Sequence, residues 1–364
     1  MTAQLLTKVQ QAQPLCREDI KGLLSLSDRS DLFDLFAAAR QARQAVFGES
    51  VFLYGFLYFS THCRNNCGFC HYRRGNTGLA RYRKTLPEII TSAKQMVRSG
   101  VHLIDLTMGE DPEFFQTGFR PLINLVRAVK RETGLPIMIS PGVVPDRVIE
   151  SLSEEGAQWL ACYQETHNRG LYASLRSGQD YDRRMASKTT AAQEGMLVEE
   201  GLLTGVGETL DDLTDSIMAM RDHGYDQVRV MTFVPQAGTP MAKQAIRKVP
   251  EAASRMLEQK VIAVMRLAMP DRLIPASLDV DGLGGLKDRL DAGANVVTSI
   301  VPPASGLAGV ANHTLDIEES RRSVAHVTQV LADCGLSAAS IAQYREWIKK
   351  RQSEKAAHTA AGAA

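Results

Sequence analysis

Nowhere does this 364-residue chain string together the roughly twenty apolar residues that a membrane-spanning helix needs. Neither sign of charge is in excess: 42 Lys and Arg stand against 41 Asp and Glu, a formal net charge of +1. That balance gives no electrostatic ground for a nucleic-acid partner or an anionic membrane surface. The stretch from Met1 to Glu18 is polar and Gln-rich, with no apolar segment of the secretory kind, so the cytoplasm is the expected location. Cysteine is scarce. Of the six, Cys63, Cys67 and Cys70 crowd together while Cys16, Cys162 and Cys334 are scattered, which is not the spacing of a disulfide framework. With 44% hydrophobic and 23% charged residues, the composition excludes disorder, collagen and coiled coil as the main description. The length suits two or so domains, or one large α/β barrel.

Residues 1–50 read as a helical extension. Ile20, Leu23, Leu24 and Leu26, then Leu32, Leu35, Phe36 and Ala39, recur at helical spacing. Residues 51–60 are β-branched and aromatic and read as a strand. From there one unit repeats: an amphipathic helix ends at a glycine and an apolar strand follows. The joints are Gly100, Gly134, Gly156, Gly195, Gly224 and Gly293, each suited to the left-handed position that closes a helix. The strands they introduce are 101–107, 136–140, 158–163, 196–198, 227–233 and 295–300. Helix starts are legible at Thr85–Glu88 and Thr209–Asp212 as capping boxes. Adding 51–60 and 273–278 gives eight strands alternating with helices, which predicts an α/β fold, a TIM-type (β/α)8 barrel over 51–340. An open doubly wound sheet is the competing architecture. Residues 341–364 are expected to hold the end of a helix and then a disordered tail over the low-complexity stretch 355–364.

The strongest chemical signal is Cys63-Arg-Asn-Asn-Cys67-Gly-Phe-Cys70. It follows the first strand directly, at the barrel face where active sites lie. C-x3-C-x2-C offers three thiolates from one tight loop, and a [4Fe–4S] cluster normally takes four ligands, so one iron would remain open. The competing reading is structural zinc with His62 or His71 as fourth ligand. Zinc sites of that kind usually pair ligands from two segments, and no second C-x2-C exists here.

This spacing resembles the signature of the radical S-adenosylmethionine (SAM) superfamily, and Phe69 before the last cysteine fits it. The resemblance implies a [4Fe–4S] cluster on Cys63, Cys67 and Cys70, with SAM chelated to the open iron and cleaved to a 5′-deoxyadenosyl radical. Thr107–Asp111 resembles that superfamily's Gly-Gly-Glu element, with Met108 in place of the first glycine, so Glu110 is implied to hold the SAM amino group. Positions similar to Ser140, Glu165 and Arg184 contact SAM in the biotin-synthase-like branch. Glu165 would meet the ribose or amine, and Arg184 the carboxylate. Arg176 and Arg183 are further candidates, and the glycine-rich 201–208 resembles the element that passes the adenine.

Charges inside the expected strands point to the substrate. Asp105 lies in the second and Arg229 in the sixth, and Ser277 and Asp279 end the seventh. Unpaired buried charges are expensive, so these must meet each other or a ligand. An internal Asp–Arg pair accounts for only part of them, since two carboxylates stand against one guanidinium. A lysine- or ornithine-like diamino acid completes the set: Arg229 takes its carboxylate as a fork, and Asp105 and Asp279 take its two ammonium groups.

The resemblance extends over roughly residues 15–345. The segments 105–112, 135–142, 163–166, 228–233, 273–279 and 293–300 look like those of the methylornithine synthase family, radical SAM mutases of pyrrolysine biosynthesis. It implies conversion of L-lysine to (3R)-3-methyl-D-ornithine: the radical removes a side-chain hydrogen, the carbon skeleton fragments and rejoins, and hydrogen returns. Asp105, Arg229, Ser277 and Asp279 match that family's amino-acid-binding positions. An electron donor such as flavodoxin or ferredoxin is the expected partner. Two other readings remain: another biotin-synthase-like enzyme, for instance of the hydrogenase-maturation type, and a non-enzymatic iron–sulfur or zinc module.

Overall fold

In this computed structural model the described residues are Leu5, 7–9, Gln11, 13–243, 251–301 and 322–362. Parts of the expected extension and barrel (1–4, 6, 10, 12, 244–250 and 302–321) and the last two residues of the expected tail lie outside them.

Eight parallel strands form the centre: β1 Ser50–Ser60, β2 Leu103–Met108, β3 Ile137–Ser140, β4 Trp159–Ala161, β5 Leu197–Thr204, β6 Gln227–Thr232, β7 Pro275–Ser277 and β8 Val296–Ile300. Their lateral order is β6-β5-β4-β3-β2-β1-β8-β7. The amide of Val228 donates to Leu273 O at 3.0 Å and that of Leu273 to Asp226 O at 3.1 Å, so β6 meets the entry to β7 and the sheet curls into a nearly closed barrel. Sequential order around a ring excludes the doubly wound alternative. The strands are almost wholly buried, as expected for parallel strands clad in helices. All six joint glycines have positive φ, between 65° and 105°. The capping boxes at Thr85 and Thr209 are both formed.

Within the extension, the helices Arg17–Leu24 and Arg29–Phe47 pack outside the barrel. Lys260 Nζ, on the helix Glu251–Ala268, donates to Leu24 O and Leu26 O at 2.8 and 3.1 Å and so closes the first of them. At the other end, β9 Ser337–Ala338 adds beside β1 and leads into the helix Ile341–Gly362. This helix lies under the N-terminal ends of the strands. Tyr344 and Ile348 join a cluster with Phe52, Tyr54, Trp159 and Val296, and Trp347 stacks on Trp159 with centroids 5.9 Å apart. Buried Tyr54 and Tyr344 share a hydrogen bond of 2.7 Å.

Two expectations are corrected. The helix runs on through Gly362, so residues 355–362 are not a disordered tail. Alanine is the best helix former, and Arg351 and Lys355 tie the helix to buried Asp226 at 2.8 and 2.7 Å. The fifth strand extends to Thr204, not Val198. Glu199 and Glu200 read as a strand end, yet both are fully buried because each finds a cation: Arg229 for Glu199 and Lys188 for Glu200.

Candidate active site

The segment after β1 crosses the mouth of the barrel at the C-terminal ends of the strands. Its anchors are local. Buried Asp111 accepts from Ser60 Oγ and Arg83 Nε, both at 2.5 Å, and Arg81 binds the carbonyls of Thr61, Tyr72 and Arg73. Gly109, at the end of β2, runs against the segment so closely that a Cβ would sit 2.3 Å from His62 O and 2.9 Å from Cys63 Cβ. Only glycine fits there.

Below lies a cavity of about 240 Å³. Cys63, Cys67 and Cys70 line one wall and none is in a disulfide. Gln179 Nε2 donates to Cys67 Sγ at 3.0 Å, and Arg176 Nη1 lies 3.6 Å from it. Among the described residues no three of His, Cys, Asp and Glu converge as one metal ion requires. A cubane binds each thiolate at a different iron, so its sulfurs need no common point. The three thiolates with cationic and amide donors beside Cys67 fit a cluster better than a single zinc ion.

Next to the thiolates, Phe69, Glu110, Ser140, Glu165 and Arg184 all line the cavity. Glu110 accepts from Val143 N at 3.0 Å, Arg184 Nη2 at 3.2 Å and Arg64 Nε at 3.1 Å. Gly142 (φ 74°) passes so near Glu110 that a Cβ would meet its Cγ at 2.3 Å. Arg184 also donates to Gln179 Oε1 at 2.8 Å and to Cys162 Sγ at 3.2 Å. Glu165 has φ 69°, a strained setting for a non-glycine residue, and pairs with Arg176 Nη2 at 2.6 Å. Burial pushes the Glu165 carboxyl up, and Arg176 opposes it. Arg183, by contrast, turns to the surface and pairs with Asp146. The first four residues of the glycine-rich 201–208 belong to β5.

The deeper wall is charged. Asp105 accepts from Thr107 Oγ1 at 2.8 Å and from Ser140 Oγ at 3.2 Å, so Ser140 bridges the two regions. Burial, then the nearby Glu199 carboxylate, pushes the Asp105 carboxyl up to about 7. Arg229 donates through Nε to Glu199 at 2.7 Å and through Nη1 to Thr298 Oγ1 at 3.1 Å. Asp279 accepts from Ser277 Oγ at 3.1 Å, Ser299 Oγ at 2.7 Å and Arg322 Nη1 at 3.1 Å. Asp105, Arg229 and Asp279 line the cavity, whereas Ser277 buttresses Asp279 from behind. The sequence count of two carboxylates and one guanidinium is therefore incomplete. Glu199 and Arg322 join it, making three against two, and the net charge of −1 is unchanged. Glu199 was hidden by its placement in an apparent strand end, and Arg322 by its distance in sequence. Gln179 stands between Arg176 and Arg184, and no local pattern sets it apart until the fold brings it to Cys67 and Arg184.

A parallel barrel with three loop thiolates over a charged chamber defines a radical SAM enzyme, and the Radical SAM superfamily profile matches residues 57–220. That superfamily works with a [4Fe–4S] cluster and SAM. The chain is 45% identical to the 3-methylornithine synthase of Methanosarcina barkeri, over 93% of this chain and 94% of that protein. The crystal structure of methylornithine synthase (PylB) superposes with a TM-score of 0.88 at 44% identity, covering 94% of this chain and 99% of that one. The [FeFe] hydrogenase maturase subunit HydE of Thermotoga maritima is more distant, at 31% identity over 82% of this chain and 83% of that protein. Within the superfamily, the chain belongs to the 3-methylornithine synthase family. No helix among the described residues is long and apolar enough to cross a membrane.

Proposed function

We propose that this chain isomerises L-lysine to (3R)-3-methyl-D-ornithine, the first step of pyrrolysine biosynthesis. The observation that carries the reading is a buried chamber with three free cysteines on one wall and a net charge of −1 on the other. Lysine, with one carboxylate and two ammonium groups, neutralises that charge.

In this reading Cys63, Cys67 and Cys70 hold the [4Fe–4S] cluster, and Phe69, Glu110, Ser140, Glu165 and Arg184 hold SAM. When bound, the two together supply a 5′-deoxyadenosyl radical, a hydrogen-abstracting agent that no side chain provides. The protein's share is placement. Arg229 receives the amino-acid carboxylate. Asp105 and Asp279, the latter held by Ser277, receive the ammonium groups. Fixing both ends keeps the pieces of a broken carbon skeleton in reach of each other. Apolar Phe56, Leu203 and Met231 line the same cavity and limit water near a radical. Arg176 and Gln179 act on Cys67 directly. A flavodoxin or ferredoxin supplies the electron in the cytoplasm, whose reducing conditions suit six free cysteines.

The test is anaerobic reconstitution with iron and sulfide, then incubation with SAM, a reductant and L-lysine. Methylornithine of the stated stereochemistry is the expected product, identified by mass and chiral chromatography. Cys67→Ala should lose both cluster absorbance and product, and Arg229→Ala should keep the cluster and lose the product. A zinc-only protein, or wild-type turnover of lysine that survives Arg229→Ala undiminished, refutes the assignment.

A further inference from the structure

We propose that Glu199 is a positioning residue: it fixes the guanidinium of Arg229 in the orientation that receives the substrate carboxylate. The inference rests on the lysine reading above and adds to it a group that touches no substrate in that reading. Glu199 is completely buried on β5. A buried carboxylate is costly unless its oxygens are satisfied, and here both are. Oε1 accepts from Arg229 Nε at 2.7 Å, and Oε2 accepts from the hydroxyl of Tyr163 at 2.9 Å. Thr298 on β8 takes Arg229 Nη1 at 3.1 Å. Two anchors from two strands thus fix the guanidinium plane before a guest arrives, and Arg229 presents its remaining edge to the cavity it lines. An arginine with four side-chain torsions would otherwise be free to swing toward Asp105, which attracts it across the barrel.

The groups that face Glu199 come from every side of the barrel. They are Arg229 on β6, Tyr163 beyond β4, Asp105 on β2, Tyr54 on β1 and Tyr344 on the C-terminal helix. Burial pushes the three tyrosine hydroxyls well above their ordinary range, so they remain neutral at working pH. Glu199 is then the charge that balances Arg229, and it repels the Asp105 carboxylate. Removing it has two separable results: the fork loosens, and Asp105 ionises at lower pH.

The experiment measures lysine KM and kcat for reconstituted wild type, Glu199→Gln and Tyr163→Phe between pH 6 and 9. A charge-assisted hydrogen bond is worth about tenfold or more in affinity. Glu199→Gln should therefore raise KM about tenfold or more, change kcat less, and move the acid limb of the KM profile to lower pH. Tyr163→Phe, which deletes one hydroxyl, should raise KM a few-fold with the acid limb in place. Iron content and melting temperature check that each variant folds. If Glu199→Gln fails that check, Tyr163→Phe carries the test alone, and an unchanged KM there overturns the proposal. In folded Glu199→Gln, an unmoved KM and acid limb overturn it, as does a loss confined to kcat. Wild type that does not convert lysine fails the functional reading itself, a result distinct from an indifferent Glu199.

Discussion

Lysine affinity should fall about tenfold between pH 8 and pH 6, because the Asp105 carboxyl in the free chamber sits near pH 7. Burial and the Glu199 charge hold it there, and both favour the neutral acid. An ammonium group needs the carboxylate, so below pH 7 binding must first expel a proton. The expected penalty on Kd is a factor of one plus ten to the power (7 − pH), which is about 11 at pH 6 and about 1.1 at pH 8. The same raised value costs the empty fold stability as pH climbs from about 4 through 7, in the region of 4 kcal/mol once Asp105 is fully ionised. Asp105→Asn should therefore melt no lower than wild type at pH 8 while binding lysine weakly and without this pH dependence. The assay is titration calorimetry of lysine into the SAM-loaded, reconstituted protein. At pH 6, buffers of differing ionisation enthalpy should report nearly one proton released per lysine bound. A flat Kd across pH 6 to 8 with no proton released would refute the reasoning.

Three further outcomes follow from the geometry. Gly109→Ala must displace His62 O, 2.3 Å from the new methyl, so it should lower the iron bound per chain and cost about 1–3 kcal/mol in urea unfolding. Lys188→Met strands the fully buried Glu200 carboxylate without its cation, and should destabilise by about 3–5 kcal/mol on the same assay. The Glu200 carboxyl is held below its ordinary range against burial, with Lys188 the largest favourable influence, so that stability is present above about pH 4 and should drain away as acid protonates the folded form; a wild-type acid titration that parallels Lys188→Met would contradict this. Tyr344→Phe removes one end of a buried 2.7 Å hydrogen bond with Tyr54, for a loss of about 1 kcal/mol read as a lowered urea midpoint.

The repeating joint of helix, glycine and apolar strand carried the fold, because left-handed closure and buried parallel strands both constrain residue type locally. The thiolate cluster was legible for the same reason: its spacing lies within one loop. What escaped depended on partners remote in the chain. Glu199 is tolerable inside a strand only because Arg229, thirty residues on, donates to it across the neighbouring strand. Asp279 is satisfied by Arg322, 43 positions away. Likewise the alanine-rich end reads as featureless until Asp226 is seen to receive both Arg351 and Lys355. Local pattern shows that a charge is buried; only the fold shows what neutralises it.

The aromatic floor laid by Tyr344, Trp347 and Ile348 shuts the end of the barrel remote from the cysteines. Asp105 and Arg229 sit within their strands, beneath the segment that bears the thiolates. A guest that reaches Asp105 and Arg229 therefore comes from the cysteine side of the cavity, opposite the aromatic floor.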